Sequence, residues 1–342
     1  MRLLVLGGSM FLSRAVAVEA LRRGHEVTCA CRGTSGPLPV GVRHVEADRT
    51  GELPAELVET AFDAVVDVAR HPSWVRRAVA SLPDPHWVFV STINVYSDNQ
   101  TPDGRPGTIA LHHPVHTDED PTSGPEVYGA MKVSCEQAVA EGASSSMVIR
   151  PGLIVGPDDP TGRFTYWPSR LADGGEVLAP GAPEDRMQVI DVRDLAHWIV
   201  DSCESRREGV FDGVGPATPM GELLSQMLAG AQLASVEPVA TSLTWVSPEF
   251  LEERGVAPWS GDDSVPLWLP SPAYDGMRSH DAQPSIDAGL LVRPVAETTR
   301  DTLAWLREHP DATITGISRE RERELLAAWH SQGRSAGQPQ GQ

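Results

Sequence analysis

Short apolar runs rich in Val, Leu and Ile alternate with stretches of helical period through the first half of the chain, the pattern of βαβ units whose parallel strands are buried on both faces. Strands are predicted at 3–6, 26–30, 42–46, 64–68, 87–90 and 147–150. Helices are predicted at 11–23, 74–82 and 127–141, the first closed by Gly24 and the last by Gly142 at C-cap positions. Six strands with such crossovers specify an α/β fold built on a doubly wound parallel sheet.

The segment 97–126 interrupts this rhythm. It is dense in Pro, Gly, His and acidic residues, and an irregular stretch of that length inside a compact domain is expected to be functional, here a candidate lid. After Pro151 the periodicity loosens. A strand at 188–191, a helix at 192–204, a strand at 210–212 and a helix at 220–228 are followed by Pro-rich punctuation from 238 to 284, then by helices at 296–308 and 318–329. The expected organisation is a nucleotide-binding domain over 1–155 and a smaller α/β substrate-binding region over 156–330, interleaved with the first. A Gly/Ser/Gln/Pro-rich tail over 331–342 is expected to be disordered.

Composition narrows the field. The net charge of −19, from 28 Lys+Arg against 47 Asp+Glu, lacks the basic footprint that nucleic acid demands, so the expected partner is a small molecule, with a homodimer allowed. Four cysteines in no framework fit a reducing cytoplasm, and Cys29 and Cys31 read as small buried thiols rather than metal ligands. No run approaches a membrane span, and the apolar start breaks at Gly7-Gly8 before it could serve as a signal peptide. The expected location is cytoplasmic.

The first predicted strand runs directly into Gly7-Gly8-Ser9-Met10-Phe11-Leu12-Ser13 and a helix, the setting in which a Rossmann turn delivers a pyrophosphate to a helix N-terminus. A G-x-x-G-x-x-G spacing would place glycines at 7, 10 and 13; Met10 and Ser13 replace two of them. Gly7, Ser9, Met10, Phe11 and Leu12 are the candidate pyrophosphate contacts. An acidic residue that would bond an NAD ribose is expected about 20 residues on. Cys31 stands there, followed by Arg32, whose guanidinium suits a 2′-phosphate, so NADP(H) is favoured over NAD(H). Asp48 and Arg49, after the third strand, are candidates for the adenine edge.

Tyr128 and Lys132 stand at i and i+4 on one helix face. A neighbouring ammonium and an oxidised nicotinamide would favour the phenolate, bringing a group that titrates near pH 10 toward proton transfer at neutral pH. Ser91-Thr92 ends the fifth predicted strand, where ligands meet such sheets, and supplies a hydroxyl for the reacting oxygen.

The phosphate turn, the hydroxyl pair followed by Val95-Tyr96, the Tyr-x-x-x-Lys helix, Arg150-Pro151-Gly152, Val155-Gly156-Pro157 and Ile190-Asp191-Val192-Arg193-Asp194 fall in the order seen in the NAD-dependent epimerase/dehydratase family, the extended short-chain dehydrogenases. The chain resembles that family well to about Leu228 and loosely beyond. The resemblance implies Thr92 as the catalytic hydroxyl, Tyr128 as acid/base, and Lys132 as the residue that lowers the tyrosine pKa and holds the nicotinamide ribose. It implies Val68, Ala69 and Arg70 as the turn lining that ribose, and Pro151, Leu153 and Ile154 beside the nicotinamide amide. The 4,6-dehydratases carry Asp-Glu after the threonine; here Ile93 and Asn94 stand there, which leaves alcohol/ketone chemistry on a small hydroxylated or sugar-like metabolite.

A dissociable NADP(H) favours a reductase, with a sugar epimerase retaining NAD and a catalytically idle cofactor-sensing or interaction protein as alternatives. Ile93, Asn94, Arg163, Tyr166, Trp167 and Arg186 are the candidate substrate contacts. His112, His113 and His116, near Asp118, Glu119 and Asp120, read as an acidic–histidine lid in preference to a metal site.

Overall fold

The computed structural model describes residues 1–336 apart from 236 and 238. The chain divides into two compact units. The first comprises Met1–Ile154, Gln188–Ala217 and Gly276–Val292; the second comprises Val155–Met187, Thr218–Asp275 and Arg293–Gln342, of which 337–342 lie outside the described residues.

In the first unit the expected alternation is realised as β1 (Arg2–Leu6), α1 (Phe11–Arg22), β2 (Glu26–Cys31), β3 (Arg43–Glu46), α2 (Ala55–Val58), β4 (Ala64–Asp67), α3 (Pro72–Ser81), β5 (His86–Val90), α4 (Pro125–Gly142) and β6 (Ser145–Pro151). A seventh strand, Gly209–Gly213, pairs with β6 at the sheet edge, giving the order Gly209–Gly213, β6, β5, β4, β1, β2, β3. Every pairing in it is parallel. The 210–212 run anticipated in the looser half of the sequence is therefore part of this sheet.

Alternation along the strands feeds two cores. Leu3, Val5, Val27, Cys29, Val66, Val88 and Ile149 pack against α1 and the Val192–Ser205 helix, whose Trp198 is fully buried. Leu4, Leu6, Val65, Trp87, Phe89 and Val148 face the other way, onto Val75 and Val79 of α3 and Cys135 and Val139 of α4. Complete burial of an aliphatic side chain stabilises by roughly 1.5–3 kcal/mol, so polar substitution on either row costs heavily. Gly142 was expected to end its helix as a left-handed cap, but it is still helical, with Ala143 as the cap. A Cβ at Gly142 would come within 2.5 Å of Val79, so its function is close contact between α4 and α3.

The segment 97–126 is fastened along α3 and α4. Asp118 accepts from the Ser73 amide (3.0 Å) and hydroxyl (2.5 Å), Arg76 donates to the His116 carbonyl, and His116 Nδ1 lies 3.2 Å from Ser134 Oγ. Among the described residues no three His, Cys, Asp or Glu side chains converge to hold a metal ion.

In the second unit, strand Gly175–Pro180 pairs in parallel with Thr241–Val246, and helix Met220–Leu233 packs on Val295–Glu308. Helix Tyr166–Ala172 contributes Arg170, which donates to buried Glu322 at 2.6 Å; Glu322 also accepts from the Leu178 amide at 3.0 Å. The last helix, Arg319–Ala336, runs on through 331–336, the first part of the expected tail. No helix among the described residues is long and apolar enough to cross a membrane.

Candidate active site

The carboxyl ends of β1, β2 and β4 enclose a cavity of about 260 Å³. The turn after β1 forms its floor. Gly7 and Gly8 both have positive φ (137° and 109°), and a Cβ on Gly8 would lie 2.4 Å from Cys29 Sγ, so only glycine lets the turn press onto β2. Ser13, where a third glycine was expected, takes the Gly8 amide proton on its Oγ (3.1 Å) and donates to the Met10 carbonyl (2.8 Å). Met10, 44% exposed, occupies the N-cap position of α1, whose first-turn amides lack helical acceptors by geometry.

Gly7, Ser9, Met10, Arg32, Asp48, Arg49, Val68, Ala69 and Arg70 all line this cavity. Phe11 and Leu12 do not: they begin α1, and Leu12 points into the core. The wall also includes Cys31, Gly33, Ser35, His71 and Trp74, which the sequence did not suggest as contacts. The last two are a ring pair at the start of α3, 4.6 Å between centroids, and His71 Nδ1 is buried with no hydrogen-bond partner. The signal for them was positional: a strand end, one turn, then a helix start.

Arg49, a candidate for the adenine edge, lines the cavity while its guanidinium forms a bidentate ion pair with fully buried Asp67 (3.1 and 2.9 Å), which also caps the Ala69 amide at 2.9 Å. Asp48 is held below its ordinary range chiefly by hydrogen bonds from Thr50, with the charge of Arg32 adding to them.

The catalytic candidates come together at the ends of β4 and β5. Burial raises the Tyr128 pKa above the usual phenol value, with the charge of Arg70 and the nearby Thr92 hydroxyl pulling the other way. Arg70, not the expected Lys132, is the charge that lowers it. Lys132 is 1% exposed, donates to the carbonyls of Ala69 (2.7 Å) and Val90 (2.5 Å), and lies 4.1 Å from the centre of the Phe89 ring. Burial lowers it to about 8.

A buried polar chain braces these groups. Glu136 on α4 pairs with Arg150 on β6 (2.7 and 3.0 Å); Arg150 donates to Tyr96 Oη (3.0 Å); Tyr96 donates to Asp212 (2.7 Å). It links the helix bearing Tyr128 and Lys132 to the turn that follows Thr92. Pro151, Leu153 and Ile154 end β6 and its continuation outside the cavity lining, with Leu153 accepting from the Ile190 amide.

Among the candidate substrate residues, Ile93 is 6% exposed in a core cluster, whereas Asn94 is half-buried beside Thr92, its amide donating to Thr92 Oγ1 at 3.2 Å. In the second unit, Tyr166 and Trp167 are buried, with the Trp167 indole donating to the Pro266 carbonyl at 2.9 Å. Arg163 stacks on Trp259 at 4.6 Å, and Arg186 is exposed.

The cavity fits a dinucleotide: it sits at a helix N-terminus entered through a glycine cradle, and it offers an unpartnered imidazole nitrogen. No protein-family model matches the chain. The chain is 26% identical over 287 residues to the epimerase family protein SDR39U1 of Bos taurus, covering 78% of this chain and 92% of that one.

In fold it is similar to the Stenotrophomonas maltophila UDP-glucose 4-epimerase solved with NAD and formylated UDP-arabinopyranose, with a TM-score of 0.60, 19% identity, and 92% and 100% of the two chains covered. It is also similar to the Bordetella bronchiseptica enzyme WbmH solved with NAD⁺, with a TM-score of 0.58, 17% identity, and 90% and 99% covered. The resemblance to the epimerase/dehydratase family and the Rossmann-like fold class are both borne out.

Proposed function

We propose that this chain is an NAD(P)-dependent oxidoreductase of the short-chain dehydrogenase type, interconverting an alcohol and a ketone on a small hydroxylated or sugar-like metabolite. The observation that carries this reading is the gathering of Thr92, Tyr128 and buried Lys132 at the strand ends beside the cavity. A bound nicotinamide dinucleotide would supply or accept the hydride.

Tyr128 transfers the proton at the substrate oxygen, and Thr92 holds that oxygen against it. Lys132, with two of its three protons on Ala69 and Val90, keeps one for a ribose hydroxyl. Asn94, beside Thr92, suits recognition of a polar substrate. Core-bound Ile93 provides no second acid or base, which disfavours 4,6-dehydration.

Arg32 at the cavity rim supports NADP(H). Asp48, also at the rim and electrostatically coupled to Arg32, supports the second reading, an epimerase that retains NAD. Calorimetric titration with NADPH and NADH tests the reading. NADPH is expected to bind more tightly, and Arg32→Asp is expected to reverse the preference. Failure of both cofactors to bind below millimolar concentration removes the proposal.

A further inference from the structure

The second unit contains a cavity of its own, about 630 Å³ in volume, walled by Trp245, Trp268 and Trp329 and by Asp185, Glu249 and Glu252. The local chemistry of the chain accounts for each wall. Strand Thr241–Val246 delivers Trp245 and runs into Ser247, whose Oγ caps helix Pro248–Glu253 by accepting from the Phe250 amide at 3.3 Å. Three residues apart on that helix, Glu249 and Glu252 share a face and are both exposed. Asp185 is fixed by the Ala182 amide at 2.9 Å. It fits only because position 181 is glycine: a Cβ there would lie 2.5 Å from the Asp185 carboxylate. Trp329 is steadied edge-on against Phe250, 5.1 Å between centroids. Trp268 is only 3% exposed.

The charge of this lining is one-sided. Three carboxylates and three electron-rich indoles form the wall, and no Lys, Arg or His belongs to it. A phosphate or carboxylate ligand would meet only repulsion. A metal ion would need its ligands to converge, and no such cluster occurs among the described residues. A sugar would stack on the indoles and bond the carboxylates through its hydroxyls, but it would bring no counter-charge to the three acids. The chemistry that satisfies both sets of groups is a bulky, weakly hydrated organic cation, attracted by the indole faces and neutralised by the surrounding acids.

We propose that this cavity binds a small organic ammonium ion. The proposal is independent of the dinucleotide site, whose lining residues all belong to the first unit. Calorimetric titration of the full chain with choline chloride, against sodium chloride at matched ionic strength, tests it. Saturable binding of choline is expected, with glucose and UDP giving none that the cavity variants weaken. Glu249→Gln combined with Glu252→Gln removes two exposed charges and is expected to weaken choline binding by about tenfold. Trp245→Leu is expected to weaken it comparably, with thermal unfolding confirming that each variant is folded. Absence of saturable choline binding, equal affinity in the charge-removed variant, or glucose or UDP in place of choline as the ligand those variants lose would overturn the assignment.

Discussion

The amide of Gly8 donates to the hydroxyl of Ser13 across 3.1 Å, so the side chain standing in for a glycine has become part of the turn it closes. Its own proton goes on to the Met10 carbonyl, and two backbone groups of the phosphate turn are satisfied through one oxygen. Ser13→Ala keeps the packing but leaves the buried Gly8 donor unpaired. The expected cost is about 1–3 kcal/mol of unfolding free energy, measured by urea denaturation. Ser13→Gly loses the same bonds and adds the helix penalty of glycine, roughly 0.5–1 kcal/mol more. A Ser13→Gly protein as stable as the parent would show that the bond contributes nothing.

Lys132 gives stability a distinctive pH dependence. Its folded pKa of about 8 lies below the ordinary 10.5, so between those values the unfolded chain binds more protons than the folded one. Stability from this group therefore rises with pH across that window, by an amount on the order of 3 kcal/mol. Lys132→Met should lack this rise. The measurement is the difference in unfolding free energy between the two proteins at pH 7.5 and pH 10; parallel profiles would mean that Lys132 titrates normally.

Arg150 and Glu136 are both nearly buried, at 6% and 9% side-chain exposure. Arg150→Met strands the carboxylate on the helix that carries Tyr128, with an expected loss of roughly 3–5 kcal/mol. Pairing it with Glu136→Leu is expected to recover much of that loss. A double variant no more stable than the single one would indicate that the partnership with Tyr96 matters more.

Burial raises the Tyr128 pKa above the ordinary phenol value, so the phenolate forms only at alkaline pH. With a substrate in hand, alcohol oxidation is expected to accelerate toward alkaline pH as the phenolate forms, while carbonyl reduction slows. Tyr128→Phe should lower either rate by about 10²–10⁴-fold and leave cofactor affinity nearly unchanged. Retention of the alkaline limb in that variant would assign the titration to another group.

The central sheet was legible because its strands are buried on both faces and read as apolar runs, and because strand, turn and helix succeed one another at short intervals. The second unit was legible only in its helices near 220–228, 296–308 and 318–329. Strands Gly175–Pro180 and Thr241–Val246 carry mixed side chains, and Pro168 lies inside helix Tyr166–Ala172, where the sequence predicts none. Local motifs singled out Thr92, Tyr128 and half of the residues that line the cavity. They did not reveal that Arg49 would turn inward to Asp67, because that pairing joins positions 18 residues apart that lie at or beyond the ends of two strands not adjacent in the sheet.

Neither unit is a single stretch of polypeptide. The chain passes between them after residues 154, 187, 217, 275 and 292, and the closing piece of the first unit, Gly276–Val292, brings Ser285 back to donate to the Asp212 carbonyl at 2.6 Å. No single cut in the coding sequence can release either half intact. A lineage modifying this protein must therefore do so residue by residue, because exchange of a whole module would sever the braid.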